Sequence, residues 1–171
     1  MRRYLYRGVN PELHKTNAGR LVPKANGTPF KQSAYWGDFY WGDGSTWGES
    51  EANAVIQHQR DSGKYPSSGV STTPSLENAK RYATHDGKYE SGYIYKIDPD
   101  LLEKYGVSAY AVADHATLPA IPGDEEIILV ARDFGPLPTE IIVEVFYVES
   151  QPPDAADRKK RRLIGNVRVT K

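Results

Sequence analysis

The sequence predicts an α+β protein, and two observations lead to that prediction. Strand-like segments are interrupted by helical segments in the first half of the chain, and strands then follow one another in series. The chain has 171 residues, of which 39% are hydrophobic, so it is long and apolar enough to bury the core of one domain. We therefore expect residues 1–171 to form a single domain.

The first part of the chain combines short elements with a long loop. Residues 4–9 read Tyr-Leu-Tyr-Arg-Gly-Val and end at Asn10-Pro11, which predicts a first strand. Residues 11–17 then favour a short helix that ends at Gly19. Residues 27–48 are rich in Gly, Asp, Tyr and Trp without periodicity, which predicts a long ordered loop. We expect the three tryptophans of this loop to hold it in place: Trp36, Trp41 and Trp47.

Two helices and a short strand follow in the middle of the chain. Residues 49–60 favour a helix that carries His58, and a loop of Gly, Pro and Ser occupies residues 61–68. Residues 69–73 then predict a short strand, which Pro74 ends. Ser75 has the side chain of an N-cap, so a helix is expected over residues 76–85.

The second half of the chain consists mainly of strands. Residues 92–98 alternate with period two, which is typical of a half-buried strand. Residues 125–131 predict an apolar strand with a pair of carboxylates at its start. The other predictions are a helical turn at 100–105 ended by Gly106, strands at 107–112 and 140–148, a loop at 114–124 with two prolines, a polar loop at 150–162 and a final strand at 163–169.

Composition excludes several classes of function. Lys and Arg together number 22, as do Asp and Glu, and the resulting net charge of zero argues against a broad nucleic-acid or anionic-membrane surface. The chain has no cysteine, which excludes disulfides, thiolate zinc sites and cysteine nucleophiles. The four histidines lack metal-ligand spacing, so no metal is predicted. The N-terminal residues lack the apolar core of a signal peptide, so none is expected, and no apolar run is long enough for a membrane span.

Two of three notable motifs lie on predicted strands of the first half. Arg7 is in the first strand, where its side chain either reaches solvent or binds an anion in a cleft. Ser71, Thr72 and Thr73 place three hydroxyl groups in line on a short strand. The β-propensity of threonine, with a turn before the following helix, accounts for the same residues without any function.

The third motif is a run of acids before the apolar strand at 125–131. Asp124, Glu125 and Glu126 follow a Pro-Gly pair, and strand alternation would place Asp124 and Glu126 on the same face. A solvated acidic turn is the alternative interpretation. Taken singly, none of the three motifs identifies a chemistry.

Together and in this order, the motifs resemble the signature of the cholera-toxin and pertussis-toxin group of mono-ADP-ribosyltransferases. That signature runs arginine, then Ser-Thr-Ser, then Glu-x-Glu. The resemblance covers about residues 4–148 and is weakest over residues 27–48. The segments that carry it are Leu5-Tyr6-Arg7, the stretch from Ala18 to Lys24, Gly69-Val70-Ser71-Thr72-Thr73, Gly92-Tyr93-Ile94-Tyr95-Lys96-Ile97, and Asp124 with Glu126-Ile-Ile-Leu.

The resemblance implies a fold, a substrate and a set of site residues. The fold would be two packed, mainly antiparallel sheets that flank a cleft for NAD, with a few short helices, and NAD would be a substrate with no metal involved. The implied catalytic residues are Glu126, Asp124 and Ser71, with Ser71 holding the carboxylate of Glu126. The implied NAD-binding residues are Arg7, which would contact the phosphates, Ser71, Thr72, Thr73 and His58.

Two departures from the group's pattern concern the acceptor of ADP-ribose. Thr73 replaces a serine but keeps the hydroxyl group. Asp124 stands where the group has Glu or Gln, and its side chain is one methylene shorter, which reduces its reach toward an acceptor. A shifted register, with Glu125 as the catalytic residue, is the alternative to Glu126; the apolar strand that begins directly after Glu126 favours the latter.

The resemblance also implies a biological setting. The expected function is that of a toxin or effector that transfers ADP-ribose to a macromolecule, with an arginine on a protein as the first choice. The alternatives are an NAD glycohydrolase, a transferase acting on nucleic acid through the basic run 158–162, and an inactive NAD-binding relative. Such a protein would be secreted or injected and would act in the cytosol of a target cell. Its partners would include a delivery domain, an activator or an immunity protein.

Overall fold

The computed structural model describes residues 3–35 and 42–150. Trp36, Trp41, nearly all of the polar loop at 150–162 and the final strand at 163–169 therefore lie outside the described residues. The elements in chain order are β1 (Leu5–Val9), α1 (Pro11–Thr16), β2 (Gln32–Ala34), β3 (Gly48–Ser50), α2 (Glu51–Arg60), β4 (Val70–Thr72), α3 (Leu76–Thr84), β5 (Ser91–Ile97), β6 (Val107–Ala111), β7 (Ile127–Ala131) and β8 (Ile142–Glu149).

The predicted α+β class is confirmed. The strands form three antiparallel sheets, of which two have three strands, in the orders β1-β5-β8 and β4-β7-β6. The third sheet is the pair of β2 with β3. None of the helices in the described ranges is both long and apolar enough to cross a bilayer.

The predicted loop at 27–48 contains two strands that the sequence pattern did not indicate. The short strands β2 and β3 pair across this segment, and β3 takes the first two residues of the helix predicted at 49–60. Trp47 is 60% exposed, so the prediction that it holds the loop to the core is wrong. Phe30, which is only 2% exposed, has that role, because its ring packs among the buried side chains of α2 and β7.

The two three-stranded sheets pack face to face over one apolar core. Leu5, Tyr95 and Ile97 of the first sheet meet Val70 and Leu129 of the second in that core. The sheets also touch along one edge, where the backbones of Tyr6 and Thr73 exchange two hydrogen bonds of 2.8 and 3.0 Å. This bridge brings Arg7, the neighbour of Tyr6, close to Ser71 in the middle of β4.

Helix α3 covers the first sheet at very short range. A Cβ atom added to Gly8 of β1 would lie 1.9 Å from the carbonyl oxygen of Ala79, and one added to Gly92 of β5 would lie 2.3 Å from that of Ala83. Both alanines are fully buried. The pairing of glycine on the strands with alanine on the helix therefore sets the distance of α3 from β1. It also places the exposed side of α3 beside Arg7.

Candidate active site

The motifs predicted from the sequence meet around one cavity of about 490 Å³, a volume in the range of small-molecule sites. The walls come from β1, the C-terminal end of α2, β4, α3 and the turn before β7. All seven predicted site residues line it: Arg7, His58, Ser71, Thr72, Thr73, Asp124 and Glu126. Residues separated by up to 119 positions are therefore gathered by the contact between the two sheets.

Glu126 lies directly before β7, with 22% of its side chain exposed to the cavity. Burial raises the pKa of its carboxyl group above the ordinary value. The hydroxyl group of Ser71, which donates a hydrogen bond to the carboxylate, and the guanidinium of Arg7 both act to lower that pKa, while the charge of Asp124 raises it. The carboxylate is thus held in a fixed position and little hydrated, as a group that stabilises a developing positive charge should be.

His58 links Ser71 to a residue behind the cavity. Its Nε2 atom lies 2.8 Å from the hydroxyl oxygen of Ser71, and its Nδ1 atom lies 2.7 Å from that of Ser67. Because the carboxylate of Glu126 only accepts, the Ser71 hydroxyl donates to it and receives the Nε2–H of His58. Nδ1 then accepts from the Ser67 hydroxyl. The chain of hydrogen bonds runs in one direction, from Ser67 to Glu126.

His58 is not a surface residue of its helix, because it is only 5% exposed. Burial, helped by the charges of Arg7 and Lys24, lowers the pKa of His58 from 6.5 to about 4. His58 is therefore neutral near pH 7, which is the state that the single proton on Nε2 requires. Protonation of Nδ1 would break its bond from Ser67.

The buried, neutral His58 should make the protein less stable in mild acid. Below pH 6.5 the unfolded chain binds a proton at this residue, whereas the folded protein does not until about pH 4. The free energy of unfolding should therefore fall as the pH falls through this window, with His58 contributing about 3 kcal/mol of the loss. Urea unfolding of wild type and His58→Gln, measured from pH 7 to 4, tests this.

The His58→Gln variant should lose much less stability over this pH range than wild type, whatever its stability at pH 7. His85→Gln is the matched control, because His85 is exposed, and it should keep the slope of wild type. Equal slopes for wild type and His58→Gln would contradict the assignment of His58 as neutral in the folded protein.

Arg7 and Lys24 supply positive charge to the cavity. The Arg7 side chain is half-buried and donates a hydrogen bond of 3.1 Å from Nη1 to the backbone carbonyl of Ser71. Desolvation lowers the pKa of Arg7, and the nearby carboxylate of Glu126 opposes that change. Lys24 donates from Nζ to the Ser62 hydroxyl at 2.7 Å. Both cations line the cavity, where they can receive a phosphate-bearing ligand.

The side chains of Thr72 and Thr73 hold the backbone around Glu126. The hydroxyl group of Thr72 donates to the carbonyl of Ile127 at 2.7 Å, and that of Thr73 donates to the carbonyl of Asp124 at 2.6 Å. Both residues are buried. The two hydroxyl groups therefore fix the segment that carries Glu126, which is a positioning role. Their predicted contact with NAD stays a prediction.

The acidic run does not have the strand geometry that alternation predicts. Asp124 ends a 3-10 turn (Pro122–Asp124), Glu125 has a left-handed backbone with φ of 46°, and the strand begins only at Ile127. The expectation that alternation along one strand places Asp124 and Glu126 together is therefore wrong. Both still line the same cavity.

Glu125 points away from this cavity. Its side chain is 59% exposed and forms an ion pair with Arg3. Asp124, by contrast, is 6% exposed, and its carboxylate accepts a hydrogen bond from the hydroxyl of Tyr82. The geometry favours Glu126 over Glu125 as the carboxylate that faces a ligand.

Sequence reasoning did not identify three residues of the site: Lys24, Ser67 and Tyr82. Lys24 and Ser67 lie in loops, and nothing in their local pattern sets them apart. For Tyr82 the sequence held only a weak indication of a role in the site. Tyr82 lies four positions after Asn78, so both side chains lie on the same face of α3. Asn78 and Tyr82 both bond the turn that holds Asp124.

The arrangement can bind an anion beside Arg7 and Lys24 and stabilise a positive charge beside Glu126. Within the described ranges, histidine, aspartate and glutamate residues do not form a group of three or more that could hold a metal ion. The features that fit NAD as a substrate are the volume of the cavity, Arg7 and Lys24 for a pyrophosphate, and the largely buried carboxylate of Glu126 for a ribose hydroxyl.

The comparison with known families agrees with this geometry. The family model NarE, which describes an ADP-ribosyltransferase-like family, matches residues 4–129 and so covers Arg7, the Ser71 motif and Glu126. No curated protein matches the chain. The family match extends over about three quarters of the 171 residues. The chain therefore belongs to the NarE family of ADP-ribosyltransferase-like proteins.

Proposed function

We propose that this protein is a mono-ADP-ribosyltransferase that cleaves NAD and transfers ADP-ribose to an arginine on a protein target. The observation that carries the proposal is the half-buried carboxylate of Glu126. It is bonded by Ser71, lies 4.0 Å from Nε2 of His58, and shares its cavity with Arg7. A carboxylate so placed suits a reaction in which positive charge develops on a sugar. Family membership supports the same class of reaction.

Arg7 and Lys24 would hold the pyrophosphate of NAD, and Glu126 would accept a hydrogen bond from a hydroxyl of the nicotinamide ribose. In the reaction, the bond between C1′ of that ribose and the nicotinamide nitrogen breaks, and its electron pair leaves with neutral nicotinamide. Glu126 stabilises the positive charge left on the sugar. A nitrogen of the arginine acceptor forms the new bond to C1′ and releases one proton, for which Asp124 is the nearest candidate base besides Glu126.

The biological role that we propose is that of a toxin or effector acting in the cytosol of a target cell. A delivery domain, an activator and an immunity protein are the partners that such a role calls for. These proposals rest on the resemblance of the three motifs to the cholera-toxin and pertussis-toxin group.

Labelled NAD tests the proposed reaction directly. Wild type and Glu126→Ala are incubated with it, alone and with a cell lysate, and both free nicotinamide and labelled macromolecules are measured. We expect wild type to label protein in the lysate and Glu126→Ala not to do so. Nicotinamide release without any labelling would identify an NAD glycohydrolase. Labelling of nucleic acid would show that the acceptor is nucleic acid and not protein. A wild type that neither binds nor cleaves NAD would refute the proposal.

A further inference from the structure

We propose that Tyr82 is a specificity-determining residue that, with Asp124, selects a planar guanidinium group as the acceptor. The inference rests on the proposed function, because it concerns the acceptor side of the same cavity. It adds a residue that the sequence motifs do not include, and it assigns Tyr82 a positioning role through Asp124. Three observations support it: the anchoring of Asp124, the nature of the Tyr82 hydroxyl and the exposure of the Tyr82 ring.

Helix α3 anchors the turn that carries Asp124. The side-chain amide of Asn78 donates to the carbonyl of Gly123 at 3.1 Å, and one turn further along the helix Tyr82 donates to the carboxylate of Asp124. Thr73 holds the backbone carbonyl of Asp124 from the other side. These contacts hold the side chain of Asp124 in one well-defined position. That fixed position offsets the shorter reach of aspartate, whose side chain has one methylene fewer than that of glutamate.

The hydroxyl group of Tyr82 stabilises the carboxylate of Asp124 without neutralising it. Asp124 and Glu126 line one cavity, and the charge of Asp124 helps to raise the pKa of Glu126, so the two carboxylates repel each other. Burial raises the pKa of Tyr82 well above its usual value, as do its hydrogen bond to Asp124 and the charges of both carboxylates. The hydroxyl therefore remains a donor over the physiological pH range.

The ring of Tyr82 is available to the same acceptor. Tyr82 lines the cavity and is 47% exposed, so one end of its side chain is fixed on Asp124 while much of the ring faces the opening. A carboxylate beside an accessible aromatic ring suits a guanidinium group, which can bond the first and stack on the second. Water can bond the carboxylate but cannot stack on the ring, and an ammonium group lacks the planar face. The pair therefore favours transfer to arginine over hydrolysis.

Titration with a small guanidinium compound, agmatine, tests the inference. Wild type, Tyr82→Phe and Tyr82→Leu are assayed for nicotinamide release and for ADP-ribosyl-agmatine over a range of agmatine concentrations. Tyr82→Phe keeps the ring and loses the hydroxyl, and we expect the KM for agmatine to rise about tenfold or more, as for a lost hydrogen bond to a charged group. Tyr82→Leu also loses the ring, and its KM for agmatine should be roughly two- to fivefold higher than that of Tyr82→Phe.

The expected pattern separates a role toward the acceptor from a general structural role. The KM for agmatine should rise much more than the KM for NAD, so the ratio of transfer to hydrolysis falls. Tyr89→Phe is the matched control, because the Tyr89 hydroxyl bonds the exposed Glu12 outside the cavity, and it should behave as wild type. Thermal unfolding of each variant checks that it is folded.

Each remaining outcome overturns the inference in a recognisable way. If both Tyr82 variants keep the agmatine KM of Tyr89→Phe, or if the KM values for NAD and agmatine rise together, Tyr82 does not select the acceptor and the proposed transferase still stands. If wild type releases nicotinamide but never modifies agmatine, the guanidinium acceptor is wrong for this site. If wild type releases no nicotinamide, the proposed function fails, and the inference fails with it.

Discussion

Replacing Glu126 by glutamine is expected to lower kcat for nicotinamide release by about 10²–10³-fold, with little change in the KM for NAD. Glutamine has nearly the same size and can still bond Ser71, but it lacks the negative charge. That charge stabilises the sugar cation in the transition state more than it stabilises bound NAD. Initial rates of nicotinamide release at several NAD concentrations give both constants.

The neighbouring Glu125 provides a control that also decides the register of the acidic motif. Its side chain is exposed, pairs with Arg3 and does not line the main cavity, so Glu125→Gln should retain the kinetics of wild type. Loss of activity in Glu125→Gln, with Glu126→Gln unaffected, would show that the catalytic carboxylate is misassigned. A rise in KM without a fall in kcat for Glu126→Gln would show that the residue only binds the substrate.

Removing the guanidinium of Arg7 is expected to have an effect of similar size. Arg7→Ala should lower kcat/KM for NAD about 10³-fold, because truncating one partner of a desolvated charge pair costs roughly 2–5 kcal/mol. Arg7→Lys keeps the charge but loses the fork that can bond a phosphate and the carbonyl of Ser71 together. We expect a loss of about 10–100-fold for that variant. The kinetics of NAD cleavage by both variants test this.

The Arg7→Ala variant should also change the pH profile. The positive charge of Arg7 lowers the pKa of Glu126, so its removal raises that pKa, and Glu126 becomes protonated at a higher pH. The acid limb of kcat/KM should therefore move to higher pH in Arg7→Ala, whereas Arg7→Lys should leave it nearer to wild type. Arg20→Ala, an exposed position outside the cavity, is the control. An unchanged acid limb together with unchanged kcat/KM would place Arg7 outside the binding site.

Local sequence patterns predicted most of the elements around the site. The alternation at residues 92–98 matches β5, and the N-cap role predicted for Ser75 is confirmed by its bond from the backbone of Asn78 at 3.2 Å. The predictions of secondary structure failed where a strand pairs with a segment that is distant in the sequence or where the backbone is irregular. The short strands β2 and β3 exist because they pair with each other across 13 intervening residues, a contact that no local period reveals.

The sequence alone indicated the α+β class, because strand periodicity and helix caps are local properties of the chain. The seven candidate site residues came from the resemblance of the chain to the cholera-toxin and pertussis-toxin group. Only the tertiary structure decided how those residues interact. The bridge between Tyr6 and Thr73 places Arg7 beside Ser71, and the close contact of α3 with β1 brings Tyr82 to Asp124. Burial, which depends on how the sheets pack, makes His58 neutral and raises the pKa of Glu126. These effects depend on distance in space, which position in the sequence does not encode.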